Sequence, residues 1–291
     1  MIPLLAAVVA VALAPPPGDD ARKAVVLGES GAVYAADASG DYVRTRAFAT
    51  ADAPTLAGRA GGAVVVLGDG VVYRLADNGW TAIRLVQKGK AVMSGGKRSV
   101  AAVGRQLFAL DKTVGGEPAK LALAPGPVLA IASGETSVVI QTDRGLMRLD
   151  GTTFKRLDRA PRRIARLVSD RWALVDRGAV DLKTGATASW PAGLTVQIAA
   201  AGPEAATLAA IAATRTGLEL VTVTGTKIVR DPITGSQGAK AVGVAVDKAG
   251  RAVVALADGR VARRERGAWA FAQLREDLPP PKPGSPPATS P

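Results

Sequence analysis

Residues 24–37 read AVVLGESGAVYAAD: an apolar run, a tight Gly-containing turn, and a second run with alternating side chains. The figure returns at residues 63–77, AVVVLGDGVVYRLAD, and in looser form at 99–111, 138–150, 172–183, 210–221 and 252–263. Anchored on Gly31, Gly70, Arg105, Gly145, Gly178, Gly217 and Gly259, the copies stand 33 to 42 residues apart, 38 on average. Self-similarity at such a period marks a repeat architecture, in which one supersecondary unit buries its faces only against the next.

Each full copy divides into four short strand candidates. In the second they are residues 55–59, 63–67, 71–75 and 80–85, and in the fourth 128–132, 138–142, 146–150 and 154–157, with Gly, Asp and Asn turn chemistry between them. The third strand alternates, Val71, Tyr73 and Leu75 against Val72, Arg74 and Ala76. The second is almost wholly apolar, as expected where both faces are covered. Four-stranded antiparallel units at this spacing predict an all-β fold, a seven-bladed β-propeller over residues 21–277. Because a lone blade leaves both faces wet, the array is expected to fold as one unit. The last copy is complete, at 242–246, 252–256, 261–264 and 269–274. The first lacks an innermost strand, since residues 19–23 are too polar, so closure falls to sheet packing or to a terminal strand with no assigned place. The Ala-rich sixth copy, 194–231, is the least regular, and a short helical interruption is expected near residues 204–213.

The two ends differ from the array. Residues 1–14, MIPLLAAVVAVALA, carry no charge and end in Ala12-Leu13-Ala14, a small-x-small pattern of the kind signal peptidase cuts. At roughly 1.5 Å per residue this run is too short for a ~30 Å hydrocarbon layer, so a signal peptide with a Pro-rich linker (residues 1–20) is expected rather than a membrane span. The location that follows is periplasmic or extracellular. There is no cysteine for a lipid anchor. Residues 279–291 hold seven prolines in thirteen positions, which predicts an extended, disordered tail over 278–291.

Residues 24–43, AVVLGESGAVYAADASGDYV, resemble the quinoprotein-type (pyrroloquinoline-quinone-like) propeller repeat: an apolar strand, Gly, an apolar-Tyr-Ala-x-Asp strand, then x-x-Gly and a final strand. Residues 178–190, GAVDLKTGATASW, echo it through Asp181, Thr184, Gly185 and Trp190. The resemblance implies a propeller of this superfamily and, among exported members, a non-catalytic scaffold such as the propeller lipoprotein of outer-membrane protein assembly. Quinoprotein dehydrogenases hold their cofactor with a vicinal cysteine pair, a stacking Trp and carboxylate-bound calcium. This chain has no cysteine, so no cofactor is expected.

The chain also lacks histidine, which removes imidazole metal sites and Ser-His-Asp or Cys-His nucleophile systems. No Asp-x-Asp-x-Asp-Gly calcium loop occurs, so no metal site is expected. The recurring Asp37, Asp77, Asp111 and Asp150 follow the third strand, where a carboxylate accepts backbone N–H bonds in a turn. Trp80, Trp190 and Trp269 open or close outer strands and are expected to pack between blades. The rival to a binding module is a propeller hydrolase or lyase acting on a polysaccharide or lactone, with Asp, Glu, Arg or Tyr as its only catalysts.

A formal net charge of +12 favours acidic partners. In an antiparallel meander, the turns between second and third strands share an end with the links between blades. Those turns cancel, with Arg105, Arg144, Arg177, Arg215 and Arg260 against Glu29, Asp69, Asp143, Asp176 and Asp258. The surplus lies in the link KRLDRAPRRIAR, where Lys155, Arg156, Arg159, Arg162, Arg163 and Arg166 face Asp158 alone, with Lys88 and Lys90 at the same end. Arginine forks suit carboxylates and phosphates, so these six residues are the candidate partner-binding set. No aromatic interleaves them, so specific nucleic-acid recognition is not expected. The expected protein is a monomeric, exported, non-catalytic binding or scaffold module for a macromolecular or cell-envelope partner.

Overall fold

The computed structural model describes residues 8–12, 24–28, 32–37, 39–47, 56–60, 63–67, 71–76, 79–85, 91–94, 99–114, 117–134, 137–161, 163–201, 206–247 and 249–275. Every regular element among them is a β-strand. In chain order, the first group is β1 (Val8–Ala12), β2 (Val25–Gly28), β3 (Ala32–Ala36) and β4 (Tyr42–Ala47). The second is β5 (Leu56–Ala60), β6 (Ala63–Leu67), β7 (Val71–Ala76) and β8 (Gly79–Arg84). The third is β9 (Ala91–Ser94), β10 (Val100–Val103), β11 (Gln106–Val114) and β12 (Glu117–Leu123). The fourth is β13 (Ala130–Ser133), β14 (Val138–Thr142), β15 (Gly145–Asp150) and β16 (Thr153–Arg156). The fifth is β17 (Arg166–Leu167), β18 (Trp172–Val175), β19 (Gly178–Asp181) and β20 (Thr187–Ser189). The sixth is β21 (Thr195–Ala201), β22 (Thr207–Ala213), β23 (Leu218–Thr224) and β24 (Lys227–Ile233). The last is β25 (Ala241–Val246), β26 (Ala252–Leu256), β27 (Arg260–Glu265) and β28 (Ala268–Arg275).

The second to sixth groups are separate four-stranded antiparallel meanders, and the first and last merge into one eight-stranded sheet, β1-β2-β3-β4-β28-β27-β26-β25. The seam is a short parallel pairing of β4 with β28, Leu274 opposite Tyr42 and Arg275 opposite Val43. An Arg275–Asp41 ion pair at 3.5 Å lies beside it.

The sheets stack face to face because their second strands are apolar on both sides. Val100, Ala102 and Leu107 meet Ile131, Val138 and Ile140 of the next sheet, whose Ala132, Val139 and Leu146 meet Leu167 and Ala173 of the one after. Trp172 and Leu174 pack on Leu208 and Ala210, Ile211 and Leu220 on Val244 and Val254, and Val253 and Ala255 return to Val26 and Tyr34 of the first group. Inner strands lie against inner strands, β5 on β9, β9 on β13, β13 on β17 and β21 on β25, with β1 between β25 and β5.

One open point is filled and two expectations meet a different structure here. β1 lies within the stretch read as a signal peptide and pairs antiparallel with β2, so it takes the inner position the first copy lacked. Over the described residues 206–213 the expected helical interruption is overturned, because Thr207–Ala213 is β22. Its alanines alternate between two cores, Leu208, Ala210 and Ala212 on one face and Ala209 and Ile211 on the other, and burial on both faces overrides alanine's helical preference. Asp111 is inside the nine-residue β11 rather than in a turn. The turn role is seen at Asp37, whose carboxylate accepts the N–H groups of Ser39 and Asp41 at 2.8 and 3.1 Å. It recurs at Asp181 and Asp247, each accepting the N–H two residues on at 2.9 Å. Asp77, Lys88, Lys90, residues 15–20 and the tail fall outside the described residues.

Candidate binding face between the fourth and fifth sheets

The link from β16 to β17 is held by its few apolar residues. Leu157, Ala160 and Ile164 pack against the core that Val139, Leu146 and Leu167 form between the two sheets. Its backbone is tied at both ends, Leu157 N–H to Leu146 C=O at 3.0 Å and Ala165 N–H to Leu174 C=O at 2.9 Å. With those three side chains turned in, the intervening charged residues turn out. Arg156, Arg159, Arg163 and Arg166 are exposed. Arg162 lies outside the described residues.

Of the five described residues of the predicted set, Lys155 has a carboxylate partner. Lys155 is engaged by Asp150 across the β15–β16 hairpin, Nζ to Oδ2 at 2.5 Å. The Asp150 carboxylate raises the Lys155 ammonium pKa and is itself lowered by it. Arg159 runs past the β19–β20 turn, where a methyl on Gly185 would lie 3.6 Å from its Cβ. Arg166 opens the innermost strand of the fifth sheet, and partial desolvation holds its guanidinium below the ordinary arginine value. From Arg159 at the outer turn of the fifth sheet to Arg166 on its inner strand, the link forms a basic strip. Arg156, Arg159, Arg163 and Arg166 have no carboxylate partner among the described residues.

The strip ends at a recess that the sequence reading did not find. Ala165, the last residue of the link, lines a recess of about 380 Å³ with Leu174, Asp176, Trp190, Leu194 and Val196. Trp190 is set there by its N–H bond to the Arg177 carbonyl at 2.9 Å and by packing beside Trp172 and Leu208. Across the 191–194 loop lies a second recess of about 430 Å³, lined by Gly193, Thr214, Arg215, Thr216, Glu219 and Arg230. Both Glu219 oxygens are taken by Arg230, at 2.6 and 2.8 Å, which raises the Arg230 pKa through that hydrogen bond. Each recess thus has one carboxylate, and no group of three or more potential metal ligands occurs among the described residues. Of the turn charges, Arg260 pairs with Asp258 at 2.7 Å and stacks over Phe271, and Arg105 donates to the Ala124 carbonyl at 2.8 Å. Trp190 and Trp269 pack between sheets as expected.

No family model matches the chain, and no curated protein matches it. Solved structures do. YCF48 from Cyanidioschyzon merolae is similar at 16% identity and a TM-score of 0.61, over 90% of this chain and 96% of that one. YCF48 bound to D1 peptide gives 10% identity and 0.64 over 90% and 94%, and the WD40 β-propeller domain of Doa1 gives 12% and 0.57 over 91% and 95%. The fold is that of a β-propeller. At these identities the likeness speaks for the fold alone. No helix among the described residues is long and apolar enough to cross a membrane.

Proposed function

We propose that this propeller is an exported, non-catalytic binding module whose strip of cations and adjoining apolar recess take an acidic, extended segment of a macromolecular or cell-envelope partner. The observation that carries the reading is the position of Ala165, which closes the basic link and lines the Trp190 recess. Arginines without a carboxylate partner among the described residues and a tryptophan wall are thereby brought to one region. A carboxylate-bearing peptide beside an apolar anchor uses both, the arginine forks for charge and the recess for burial. YCF48, solved with a bound D1 peptide, is a precedent for peptide binding on this fold.

In this reading the eight-stranded sheet counts as two blades joined at their outer strands, which makes seven quinoprotein-type blades, and the protein acts as a monomer in the periplasm or outside the cell. Support for the count comes from the seven sequence copies, and for export from the apolar leader-like start.

The test is binding to poly-glutamate as a function of salt. Arg159→Ala with Arg163→Ala should weaken binding roughly tenfold, at up to ~1 kcal/mol per exposed charge pair, and should flatten the salt dependence. Trp190→Ala should weaken binding with the salt dependence unchanged. An unaltered salt dependence in the arginine double variant rejects the site.

A further inference from the structure

Strand β1 and the peptidase-like pattern Ala12-Leu13-Ala14 adjoin in sequence. A cut after Ala14 therefore removes the whole of β1 from the chain. Export with cleavage and a complete first group of strands exclude each other unless something else fills the place of β1. We infer that the inner edge of β2 is a strand-accepting site, which in the processed protein takes an extended apolar segment of another chain antiparallel to Val25–Gly28. The inference rests on the export reading above.

The position of β1 defines the site. Ala10, Val11 and Ala12 stand opposite Leu27, Val26 and Val25, with an irregularity between Val8 and Ala10. The place is walled by β25 and β5, against which β1 lies. Vacating it leaves a row of β2 backbone N–H and C=O groups without ladder partners in a gap one strand wide. An edge of this kind binds by main-chain hydrogen bonds, and the flanking strands select for small and β-branched side chains. VVAVA, the occupant supplied by the chain itself, is of that composition.

Two stretches flanking the array are poorly suited to the place. Residues 15–20, PPPGDD, begin with three residues that have no N–H to give and end in two carboxylates. Residues 279–291 have seven prolines in thirteen positions. Proline is excluded from a strand that must donate along a ladder. The occupant this inference commits to is an apolar strand of a partner.

The test starts from the full chain, folded with β1 in place, with Val25→Cys and a specific protease sequence replacing residues 15–18. The protein has no cysteine of its own, so the crosslink is unambiguous. After cutting, an excess of synthetic peptide matching residues 6–14 with Ala12→Cys is added under oxidising conditions. The pairing of Ala12 with Val25 sets the two sulfurs within disulfide reach. A one-to-one adduct is expected in the cut protein, at least tenfold above the uncut protein and above the same peptide carrying Val11→Pro. Equal yields in cut and uncut protein, or with and without the proline, overturn the site. Intact mass of the exported protein separates the two readings. A chain starting near Pro15 leaves the edge to a partner. A chain that keeps residues 1–14 fills its own edge, which overturns the partner role whatever the peptide does in vitro.

Discussion

Tyr42 shows how a single residue records closure. It sits on β4 at the seam with β28, is fully buried, and its hydroxyl has no hydrogen-bond partner among the described residues. Burial pushes its pKa up to about 12, with Arg263 pulling it down and Glu265 pushing it up. Because the folded value lies above the unfolded value of ~10, ionisation costs the fold nothing below pH 10, and stability is lost as pH rises from 10 toward 12, where the unfolded phenol ionises and the buried one does not. Two units correspond to about 3 kcal/mol, so the wild type should lose roughly that much between pH 10 and 12 beyond what Tyr42→Phe loses. At pH 7 the phenylalanine variant should be as stable or up to ~1 kcal/mol more stable, since it removes a buried hydroxyl left without a partner. Urea midpoints at pH 7, 10 and 12 check both statements. An equal alkaline loss in the two proteins would show that the phenol is solvated. The sequence placed Tyr42 on a final strand but held no sign of its burial, which depends on a strand more than 200 residues away along the chain.

At the scale of the element, hairpins were legible and links only partly so. A hairpin is written locally: the glycines anchoring the copies at Gly145, Gly217 and Gly259 have φ of 106°, 143° and 81°, conformations that side chains with a Cβ resist. Gly178 occupies the same place in its copy for another reason. It begins β19, and a Cβ there would stand 2.3 Å from the Ala188 carbonyl oxygen on β20. Since that neighbour is backbone within a paired strand, the overlap is relieved only by spreading β19 from β20. Gly178→Ala should cost roughly 1–3 kcal/mol, read as a lower denaturant midpoint at constant slope, whereas Gly193→Ala in the 191–194 loop meets no atom within 4 Å and costs only its backbone strain. Gly178→Ala matching the wild type would mean that the pair is looser than described. The basic link was legible as charge because its composition is extreme. Its division was not: Lys155 belongs to the β15–β16 hairpin through Asp150, and the Trp190 recess exists only where two sheets diverge around a loop. The Ala-rich β22 misled for a related physical reason. A strand buried on both faces has no polar residues to display period two, so only its neighbours reveal it.

At the scale of the whole molecule, the decisive feature is that the last group of strands has two neighbours. Ala241, Val244 and Val254 pack against the sixth group, while Val253, Ala255 and Ala272 pack against the first, which also pairs with it through β4 and β28. In an open stack of repeats, terminal units fray and each unit's stability reflects its own neighbours. Here every second strand whose faces can be followed is buried between two sheets, and opening any one sheet exposes two interfaces. Sub-global opening should therefore be as costly as unfolding the whole. The amides of β10, β14, β18, β22 and β26 should merge into one hydrogen-exchange isotherm as denaturant rises, with the same slope as global unfolding. A separate, lower isotherm for β26 would mean that the seam does not join the last group to the first. Substituting Leu274→Pro on β28 should lower the isotherms of all five strands together, because loss of the β4 pairing weakens the junction on which the shared cooperativity depends.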